Sequence, residues 1–385
     1  MFRTQAISRC NVWKNEFYDL HNDPDSIHLF FVMTDSVRSR KQKTARIFYG
    51  KSVAFLRSAG YYRTVFCQNG ASATILPAVL RFDRRRNRIR LQKEISMNRT
   101  DRPARCAAVH DLSGVGRCSL SVILPAMSVM GVQVCPLPTA VLSTHTGGFG
   151  TPARRDLTDY LTEAISHYQA LELPMECIYT GYLGDVRQVA LCRKLFAEYP
   201  DAMKVVDPVM GDHGKLYHGF TPELVQGIRE LAAHADVITP NLTEAALLLG
   251  EEPNTAPLSL GQARSLLARL SALGPRVTVI TGTALTTGEY ANLCYDKERG
   301  GYWKSVSEYL PVRYPGTGDL FAAVLTAGLM QGDSPAMSMD RATRYVEITV
   351  KTTFGYGADP REGVMLERTL GWLTQKELPR GYSTL

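Results

Sequence analysis

From residue 105 onward, short apolar runs alternate with longer segments whose apolar residues recur at helical spacing. Six runs have the length and composition of buried strands: residues 106–110, 132–135, 176–180, 203–206, 235–239 and 276–280. Helical periodicity fills the segments between them, for example residues 117–130 and 154–169. Residues 289–306 are typical of a hairpin with its turn at 297–300. The alternation predicts an α/β fold, a doubly wound and mostly parallel sheet flanked by helices on both faces.

Residues 1–96 lack this periodicity and are strongly basic. They carry 18 Lys and Arg against 7 Asp and Glu, so the formal net charge of +7 comes from this quarter of the chain. We interpret them as an unpatterned extension that is disordered, or that precedes the native start if the protein begins at Met97. The basic run 81–90 leaves binding to nucleic acid or to an anionic surface as a less favoured alternative. Residues 97–385 form the predicted folded domain.

The sequence also argues against several kinds of partner. No apolar run approaches the roughly 18 residues that a membrane helix needs. The eight cysteines include no C-x-x-C pair, so zinc and redox motifs have no support. In a chain of this length, scattered cysteines are typical of a reducing compartment. We therefore expect a cytoplasmic protein with no membrane partner and no nucleic-acid partner.

The segment Pro315-Gly316-Thr317-Gly318-Asp319 is the first candidate for chemistry, because it joins an extended run to a helix. Its glycines allow close backbone approach, and the first N–H groups of the helix would be available to a phosphate. Asp319, in the first helical turn, could accept a proton from a hydroxyl that attacks a phosphoryl group. On these five residues alone, a plain glycine turn at a helix start is the favoured alternative. The segment has no Lys-Ser or Lys-Thr pair and is not a Walker A loop.

Polar side chains follow almost every predicted strand. Because the carboxyl ends of parallel strands meet at one edge of a sheet, these side chains predict a ligand site along that edge. The residues are Asp111, Ser113, Thr146, Tyr182, Asp207, Asn241 and Thr281.

Asp207 and the pair Asn241 and Glu244 are candidates for a magnesium site. Carboxylate and amide oxygens are ligands that Mg²⁺ accepts, mostly with water completing the shell. Asn241 and Glu244 are three residues apart at a predicted helix start, which equally fits a capping box. Taken alone, that pair favours the capping box.

Residues 114–119 and the two histidines give weaker indications of function. Residues 114–119 open a helix after a strand, but Ser119 replaces the third glycine of a dinucleotide fingerprint and no acidic residue ends the next strand. His110 and His145 are expected to be ordinary hydrogen-bonded histidines rather than metal ligands.

In this chain order, the motifs resemble those of the ribokinase-like superfamily. Gly316-Thr317-Gly318-Asp319 resembles its anion-hole motif, and residues 207–209 and 239–244 support the resemblance. Residues 143–147 and 180–182 resemble elements of vitamin B6 kinases, so the chain from about 105 to 373 is similar to pyridoxal kinases. The turn 111–114 is more similar to hydroxymethylpyrimidine kinases.

The resemblance implies an ATP-dependent enzyme that phosphorylates the 5′-hydroxymethyl group of pyridoxal, pyridoxamine or pyridoxine. Its cofactors would be Mg²⁺ and a monovalent cation such as K⁺, and family members are commonly homodimers. Asp319 would be the catalytic base, and the backbone N–H groups of Gly316, Thr317 and Gly318 would form the anion hole.

The resemblance also implies which residues bind each ligand. The B6 ring would contact Asp111, Ser113, Thr146 and Tyr182. The nucleotide would contact Asp207, Thr239, Asn241, Thr281 and Gly282. Mg²⁺ would be held by Asp207 and Glu244, and Asp212 and Tyr217 would lie on a lid.

Two alternative functions remain open. One is a hydroxymethylpyrimidine kinase of thiamine synthesis, which differs in the alcohol that is phosphorylated. The other is a non-catalytic vitamin-binding protein on the same fold, against which Asp319, Asp207 and Glu244 argue.

Overall fold

The computed structural model describes residues 102–375 and 381–385, together with the backbone of seven short strands between residues 30 and 93. The chain divides into two compact units, Met1–Arg102 and Pro103–Leu385. The division lies a few residues after the domain boundary predicted at residue 97. Met97 itself lies outside the described residues.

The first unit contains strands that the sequence pattern did not predict. They are β1 (Phe30–Met33), β2 (Thr44–Tyr49), β3 (Ser52–Arg57), β4 (Val65–Asn69), β5 (Ser72–Leu76), β6 (Ala78–Asp83) and β7 (Arg88–Lys93). They pair antiparallel in three separate sheets, β1-β2-β3, β4-β5 and β6-β7. The basic run 81–90 falls partly on β6 and β7, and its residues 84–87 lie outside the described residues. The hypothesis that residues 1–96 are a disordered or non-native extension stays a prediction.

The second unit is built on one ten-stranded sheet and one small hairpin. Its strands are β8 (Ala104–Val115), β9 (Val132–Thr144), β10 (Arg154–Asp156), β11 (Cys177–Thr180), β12 (Met203–Val206), β13 (Gly211–Asp212), β14 (Lys215–Leu216), β15 (Val237–Ile238), β16 (Val277–Ala284), β17 (Tyr290–Asp296), β18 (Gly301–Ser307) and β19 (Tyr382–Thr384). The large sheet has the order β10-β9-β8-β11-β12-β15-β16-β17-β18-β19, and β13 pairs only with β14. The pairs from β9 through β16 are parallel, whereas β10 and the strands beyond β16 are antiparallel.

Helices cover both faces of this sheet, which confirms the predicted fold class. They are α1 (Leu120–Val129), α2 (Thr158–Ala170), α3 (Val186–Glu198), α4 (Pro222–Ala233), α5 (Leu242–Leu249), α6 (Leu260–Ala272), α7 (Thr317–Met330), α8 (Pro335–Gly355) and α9 (Leu366–Thr369). The predicted hairpin corresponds to β17 and β18. Within the described residues, no helix is long and apolar enough to span a bilayer.

The central strands are apolar on both sides because each face carries its own core. In β8, Ala107 and Val109 join the core that packs against α2 to α6, whereas Cys106 and Ala108 join the core of α1, α7 and α8. This is the strand period of two, with both faces buried as parallel sheets require.

The strand order reverses at β8, since the chain runs from β8 to β9 on one side and then returns to β11 on the other. Open α/β sheets bind ligands at such a switch point, outside the carboxyl ends of the strands. The carboxyl ends of β8, β11 and β12 are therefore the place to look for a site.

Candidate active site

The turn before α7 leaves a helix N-terminus without a side-chain cap. Gly316 is the N-cap residue and has the left-handed conformation, with φ of 82° and ψ of 0°. A Cβ at this position would lie 2.2 Å from the backbone oxygen of Arg117, so the turn packs tightly against the loop before α1. The N–H groups of Thr317 and Gly318 have no acceptor within the helix. Free N–H groups at a helix start can bind an anion, and the predicted anion hole at this turn stays a prediction.

Asp319 lies in the first turn of α7 and also at the start of α1. Its Oδ2 accepts a 2.6 Å hydrogen bond from the backbone N–H of Ser119, the N-cap residue of α1. Its Oδ1 lies 3.2 Å from His110 Nε2. The carboxylate thus lies at the N-termini of two helices, the ends at which helix dipoles are positive.

His110, at the end of the apolar part of β8, is buried between two carboxylates. Its Nε2 faces Asp319, and its Nδ1 lies 2.9 Å from Asp111 Oδ1. Burial alone would lower the pKa of His110, but the charge of Asp319 and the hydrogen bonds to both carboxylates raise that pKa to about 10. A pKa raised in this way favours the imidazolium form of the ring.

The side chains of Asp111 and Ser113, predicted to contact substrate, are engaged with the protein. Asp111 Oδ1 accepts a 2.6 Å hydrogen bond from Ser119 Oγ, and Oδ2 accepts a 3.3 Å bond from Ser113 Oγ. Burial opposes ionisation of Asp111, but the hydrogen bond and the charge of His110 hold its pKa below the usual range. In this structure Asp111 braces His110, and its predicted substrate contact stays a prediction.

Asp207 and Glu244 bring two buried carboxylates to the carboxyl ends of β12 and β15. Asp207 Oδ1 accepts a 3.0 Å hydrogen bond from Thr239 Oγ1. Burial, followed by the charge of Asp319, raises the pKa of Asp207 to about 7. Burial and the charge of Asp207 likewise raise the pKa of Glu244 well above its usual value. These shifts indicate negative charge that the cationic form of His110 offsets only in part.

A magnesium ion would compensate the negative charge of these two carboxylates. Among residues 102–375 and 381–385, no group of three or more His, Cys, Asp or Glu side chains forms a metal cage. Magnesium, however, is commonly bound by one or two carboxylates, with substrate phosphates and water completing its octahedron. Asp207 and Glu244 supply that number of carboxylates.

The predicted capping box is present at the start of α5. Asn241 Oδ1 accepts from the Glu244 N–H at 3.0 Å, and Glu244 Oε2 accepts from the Asn241 N–H at 2.9 Å. Glu244 Oε1 also accepts from the Met210 N–H at 3.2 Å, and Asn241 Nδ2 donates to the Gly211 oxygen at 2.9 Å. The capping box that the spacing predicted is therefore present in the structure.

Thr281 and Gly282 lie at an irregularity in β16, where the pairing with β17 shifts between Ile280 and Thr283. Gly282 has φ of 61°, and its N–H donates a 2.8 Å hydrogen bond to Asn292 Oδ1. Asn292 is buried, and its Nδ2 donates to Thr343 Oγ1 on α8. This pair of hydrogen bonds fixes the segment predicted to border ATP.

The other two residues predicted to bind the B6 ring, Thr146 and Tyr182, lie on separate loops, whereas Asp111 and Ser113 belong to β8. Thr146 is exposed, while the neighbouring His145 is buried and its Nε2 lies 2.6 Å from the Arg361 oxygen. Tyr182, after β11, is half-buried, and burial raises its pKa. Its ring packs edge-on against Phe220 with centroids 6.0 Å apart.

The predicted lid residues lie on and beside the β13–β14 hairpin. Asp212 belongs to β13, and Tyr217 directly follows β14. The Tyr217 ring is 44% exposed and contacts Phe220 with centroids 6.5 Å apart. Phe220 thus joins Tyr182 to the predicted lid.

Comparison with known proteins decides the family. The family model for phosphomethylpyrimidine kinase matches residues 124–362, more than half of the chain. Pyridoxal kinase PdxY of Aliivibrio fischeri is 30% identical over 250 residues, which cover 60% of this chain and 83% of the relative. The chain belongs to the family of phosphomethylpyrimidine and pyridoxal kinases.

Solved structures of this kinase family share the fold. A protein of Bacteroides thetaiotaomicron, named a phosphomethylpyrimidine kinase and crystallised with pyridoxal, superposes with a TM-score of 0.70 and 43% identity. The match covers 74% of this chain and all of the other, 100%. Pyridoxal kinase of Leishmania donovani in complex with ADP and pyridoxamine gives a TM-score of 0.62 at 25% identity, covering 70% of this chain and 95% of the other. The predicted resemblance to the ribokinase-like fold and to pyridoxal kinases is confirmed.

Sequence reasoning missed four residues that contact the predicted site residues. His110 was expected to be an ordinary histidine, Ser119 was named only for the failed dinucleotide fingerprint, and Phe220 and Asn292 were not singled out. Two signals were available: His110 directly precedes Asp111 at a strand end, and Asn292 is the one amide in the otherwise apolar run 291–294. The hydrogen bond from the Ser119 backbone depends on a φ of 55°, which residue type does not predict.

Proposed function

We propose that this kinase transfers the γ-phosphoryl group of ATP to the 5′-hydroxymethyl group of pyridoxal, pyridoxamine or pyridoxine. The observation that carries the proposal is the position of Asp319, held by His110 and by the Ser119 N–H beside an uncapped helix N-terminus. A kinase of small alcohols needs a base for the hydroxyl and donors for the phosphoryl oxygens, and this turn supplies both. A non-catalytic vitamin-binding protein would need neither.

Asp319 would take the proton from the hydroxymethyl group as it attacks. The backbone N–H groups of Gly316, Thr317 and Gly318 would hold the phosphoryl oxygens where charge develops, which requires no reorganisation because the turn is already formed. Gly318 leaves room for the group, since a Cβ at this position would meet nothing within 4 Å.

Asp207 and Glu244 would hold Mg²⁺, which when bound would neutralise charge on the ATP phosphates. Thr239, Asn241, Thr281 and Gly282 would border the nucleotide. Thr239 and Asn241 follow β15, and Thr281 and Gly282 lie beside them at the irregularity in β16, which supports the proposal. A monovalent cation such as K⁺ is part of the same proposal, tested by replacing K⁺ with Na⁺ in the assay.

The vitamer ring would lie near Tyr182, with Thr146, Ser113 and Asp111 as the polar contacts. The half-buried Tyr182 and its contact with Phe220 support an aromatic substrate, because a flat ring gains from edge or face contact with such side chains. Asp212 and Tyr217 would close over it.

A substrate panel tests the function. The protein with ATP and Mg²⁺ is offered the three B6 vitamers, hydroxymethylpyrimidine, ribose and fructose, and the phosphorylated products are measured by chromatography. We expect at least one vitamer to have the highest kcat/KM. Faster phosphorylation of a sugar than of every vitamer would overturn the proposal.

Hydroxymethylpyrimidine is the second candidate substrate, because the matching family model is that of phosphomethylpyrimidine kinase. The same panel decides between the two alcohols. A higher kcat/KM for hydroxymethylpyrimidine than for any vitamer would move the assignment to that activity.

We further propose that residues 1–96 are dispensable for activity. The matched region 124–362 lies within the second unit, and 283 residues are ample for one domain. Residues 97–385 expressed alone should melt and turn over like the full chain. An insoluble product, or one more than tenfold less active, would contradict this.

A cytoplasmic location and a homodimer belong to the same proposal. Buried thiols such as those of Cys177 and Cys294 suit a reducing compartment. The exposed Val115 and Val141, near the ends of the long strands β8 and β9, offer apolar surface to a second copy. Sedimentation at several concentrations tests the dimer.

A further inference from the structure

We propose that His110 is the positioning residue of the base Asp319, and that Asp111 fixes His110 for that task. The inference rests on the proposed kinase function and deepens it. It assigns a role to a histidine whose hydrogen-bonded side chains, among the described residues, are Asp111 and Asp319 and not the predicted metal ligands.

The contacts form a continuous chain from Asp111 to Asp319. His110 lies with one ring nitrogen toward each carboxylate, at 2.9 Å from Asp111 and 3.2 Å from Asp319. Ser119 closes the circuit, because its hydroxyl donates to Asp111 and its backbone N–H donates to Asp319. Each carboxylate is therefore held at both oxygens, and the direction of the Asp319 carboxylate is set by groups that are themselves fixed.

The imidazole has little room to turn. A Cβ on Gly181, at the end of β11, would lie 1.9 Å from His110 Cδ2, so the ring occupies the space that any other residue would fill. His110 is 2% exposed. A side chain fixed in this way can hold a catalytic group to the sub-ångström tolerance that phosphoryl transfer requires.

The charge of His110 defines what it contributes. Only the doubly protonated ring donates to both carboxylates, and the raised pKa of His110 supports that form. The backbone N–H of Asp111 also lies 3.0 Å from Nδ1, but it would donate there only to a neutral ring. An imidazolium cannot accept the proton that Asp319 removes from the substrate. Its role is to hold the Asp319 carboxylate in one direction, not to relay the proton.

In the described part of the chain, His110 is the one cationic side chain at ion-pair distance from Asp319. The other titratable groups that act on His110 are Asp111, which pairs with it, and Asp207, whose charge it partly offsets. Loss of the cation would thus leave Asp319 near Asp207 without compensation.

A double-mutant cycle tests the proposal: the parent, His110→Gln, Asp319→Asn and the double variant, each assayed with the best vitamer of the panel. Glutamine keeps one N–H donor and removes the charge. We expect His110→Gln to lower kcat roughly 10- to 100-fold, as a displaced catalytic group does, with KM for ATP and vitamer within a few-fold. In the Asp319→Asn background the same substitution should have almost no further effect on kcat, because the group through which it acts is gone.

The split between kcat and KM gives a second measurement. In His110→Gln kcat should fall while KM for ATP and vitamer stays within a few-fold, because only the direction of the Asp319 carboxylate is lost. A purely structural histidine would lower Tm without this split and without the non-additivity of the cycle. His234→Gln, the same exchange at an exposed histidine that bonds only the Glu230 oxygen among described groups, is the matched control and should leave kcat unchanged.

Asp111→Asn covers the case in which His110→Gln does not fold. The positioning role predicts a lower kcat at unchanged vitamer KM, whereas a direct substrate contact predicts a higher vitamer KM. Additive losses in the cycle, or a raised vitamer KM without a loss of kcat in Asp111→Asn, would overturn the inference. A parent without turnover on any alcohol of the panel would overturn the proposed function first and this inference with it.

Discussion

The helices α5 and α7 each carry in their first turn a carboxylate that interacts electrostatically with Asp207, Glu244 and Asp319 respectively. The two helix N-termini nevertheless differ in how they are capped. At α5, Asn241 and Glu244 close a capping box, so side chains of the protein satisfy the first N–H groups. At α7, the N-cap residue is Gly316, which has no side chain to offer, and α7 carries Asp319 in its first turn. One helix start is capped by side chains of the protein, whereas the other has no side-chain cap and is the start proposed to bind the phosphoryl group.

This difference between the two helix starts distinguishes a capping role from a catalytic role, although the sequence signal is similar in both. Both segments place an acidic residue three positions after the N-cap, Glu244 after Asn241 and Asp319 after Gly316. Glu244 turns back to its own N-cap, whereas Asp319 reaches out to His110 and Ser119. A glycine N-cap and a shorter acid therefore convert a capping position into a candidate catalytic one.

Asp319→Asn should give the largest effect. Asparagine keeps the shape and the acceptor for the Ser119 N–H but cannot take a proton. We expect kcat to fall by roughly 10²-fold or more with ATP binding nearly intact. If Asp319 only stabilised the helix start, worth about 0.3–1 kcal/mol, the variant would melt slightly lower and still turn over. A folded variant with kcat within a few-fold of the parent would remove the central claim.

Substitution of the two glycines of the turn distinguishes backbone strain from loss of ligand contact. Gly316→Ala places a Cβ against the Arg117 backbone and forces a left-handed alanine, so we expect a loss of about 1–3 kcal/mol in stability together with activity. Gly318→Ala meets no neighbour in the protein and should melt at least as high as the parent.

Gly318→Ala should nevertheless turn over roughly tenfold more slowly, because its methyl group enters the space proposed for the phosphoryl group. Melting curves and kcat for the pair are the measurements. Full activity in Gly318→Ala would mean that the phosphoryl group binds elsewhere.

Glu244→Gln tests whether the capping carboxylate also serves Mg²⁺. The Mg²⁺ concentration for half-maximal rate should rise roughly tenfold, as it does when the support of a metal site is weakened. One of the two backbone N–H groups loses its acceptor, at a cost of about 1 kcal/mol, and removal of a buried charge offsets part of it. A large drop in Tm at unchanged Mg²⁺ dependence would leave the capping box as the whole role of Glu244.

The stability of the metal-free protein should fall as pH rises from about 4 to about 7. The pKa of Asp207 is raised from 3.8 to about 7 in the folded protein, first by burial and then by the charge of Asp319. In that window the folded state binds a proton that the unfolded state has released, so the stabilisation is complete below 3.8 and is lost on approach to 7. Asp207→Asn should flatten this part of the Tm profile.

Added Mg²⁺ should restore Tm at pH 7, because it compensates the ionised carboxylates. The titration of His110 does not affect the Tm profile below pH 6.5. Its pKa is raised from 6.5 to about 10 in the folded protein, so it changes stability only between those two values. A Tm that rises steadily from pH 4 to 7 in the absence of metal would contradict the shifted pKa of Asp207.

Much of the fold could be predicted because parallel strands buried on both faces leave a strong signal. The runs 106–110, 176–180 and 276–280 all became central strands, and their polar ends came together at one edge. The strands β1 to β7 were missed, because hairpins of four to six residues show too few repeats for a period of two to stand out from mixed sequence.

Contacts within the site were harder to predict than its location. The hydrogen-bond partners of Asp319 depend on how the loop before α1 packs against the glycine turn. One of them is a backbone N–H, which every residue except proline has, so residue type does not predict it. Asn241 and Glu244 show a different limit of sequence prediction. Their spacing fits both a capping box and a ligand site, and these two roles differ only in where a side chain points.

Asn241→Ala, compared with Ser259→Ala, should give the smallest effects and refine the comparison of helix starts. Ser259 closes a second capping box with Gln262 at the exposed start of α6, so it serves as a cap without a proposed ligand. Loss of either cap should cost about 1 kcal/mol. Asn241→Ala should cost somewhat more, because it also removes the bond from Asn241 Nδ2 to the Gly211 oxygen.

The kinetic difference between these two variants is the informative result. If Asn241 borders the nucleotide, its variant should raise KM for ATP several-fold beyond any effect of Ser259→Ala, with kcat changed little, because uniform binding is lost rather than transition-state stabilisation. If α5 is a helix start that the protein has fully closed, both variants should melt lower and bind ATP like the parent. That outcome would remove Asn241 from the nucleotide site and leave the uncapped start of α7 as the only one of the two that binds a ligand.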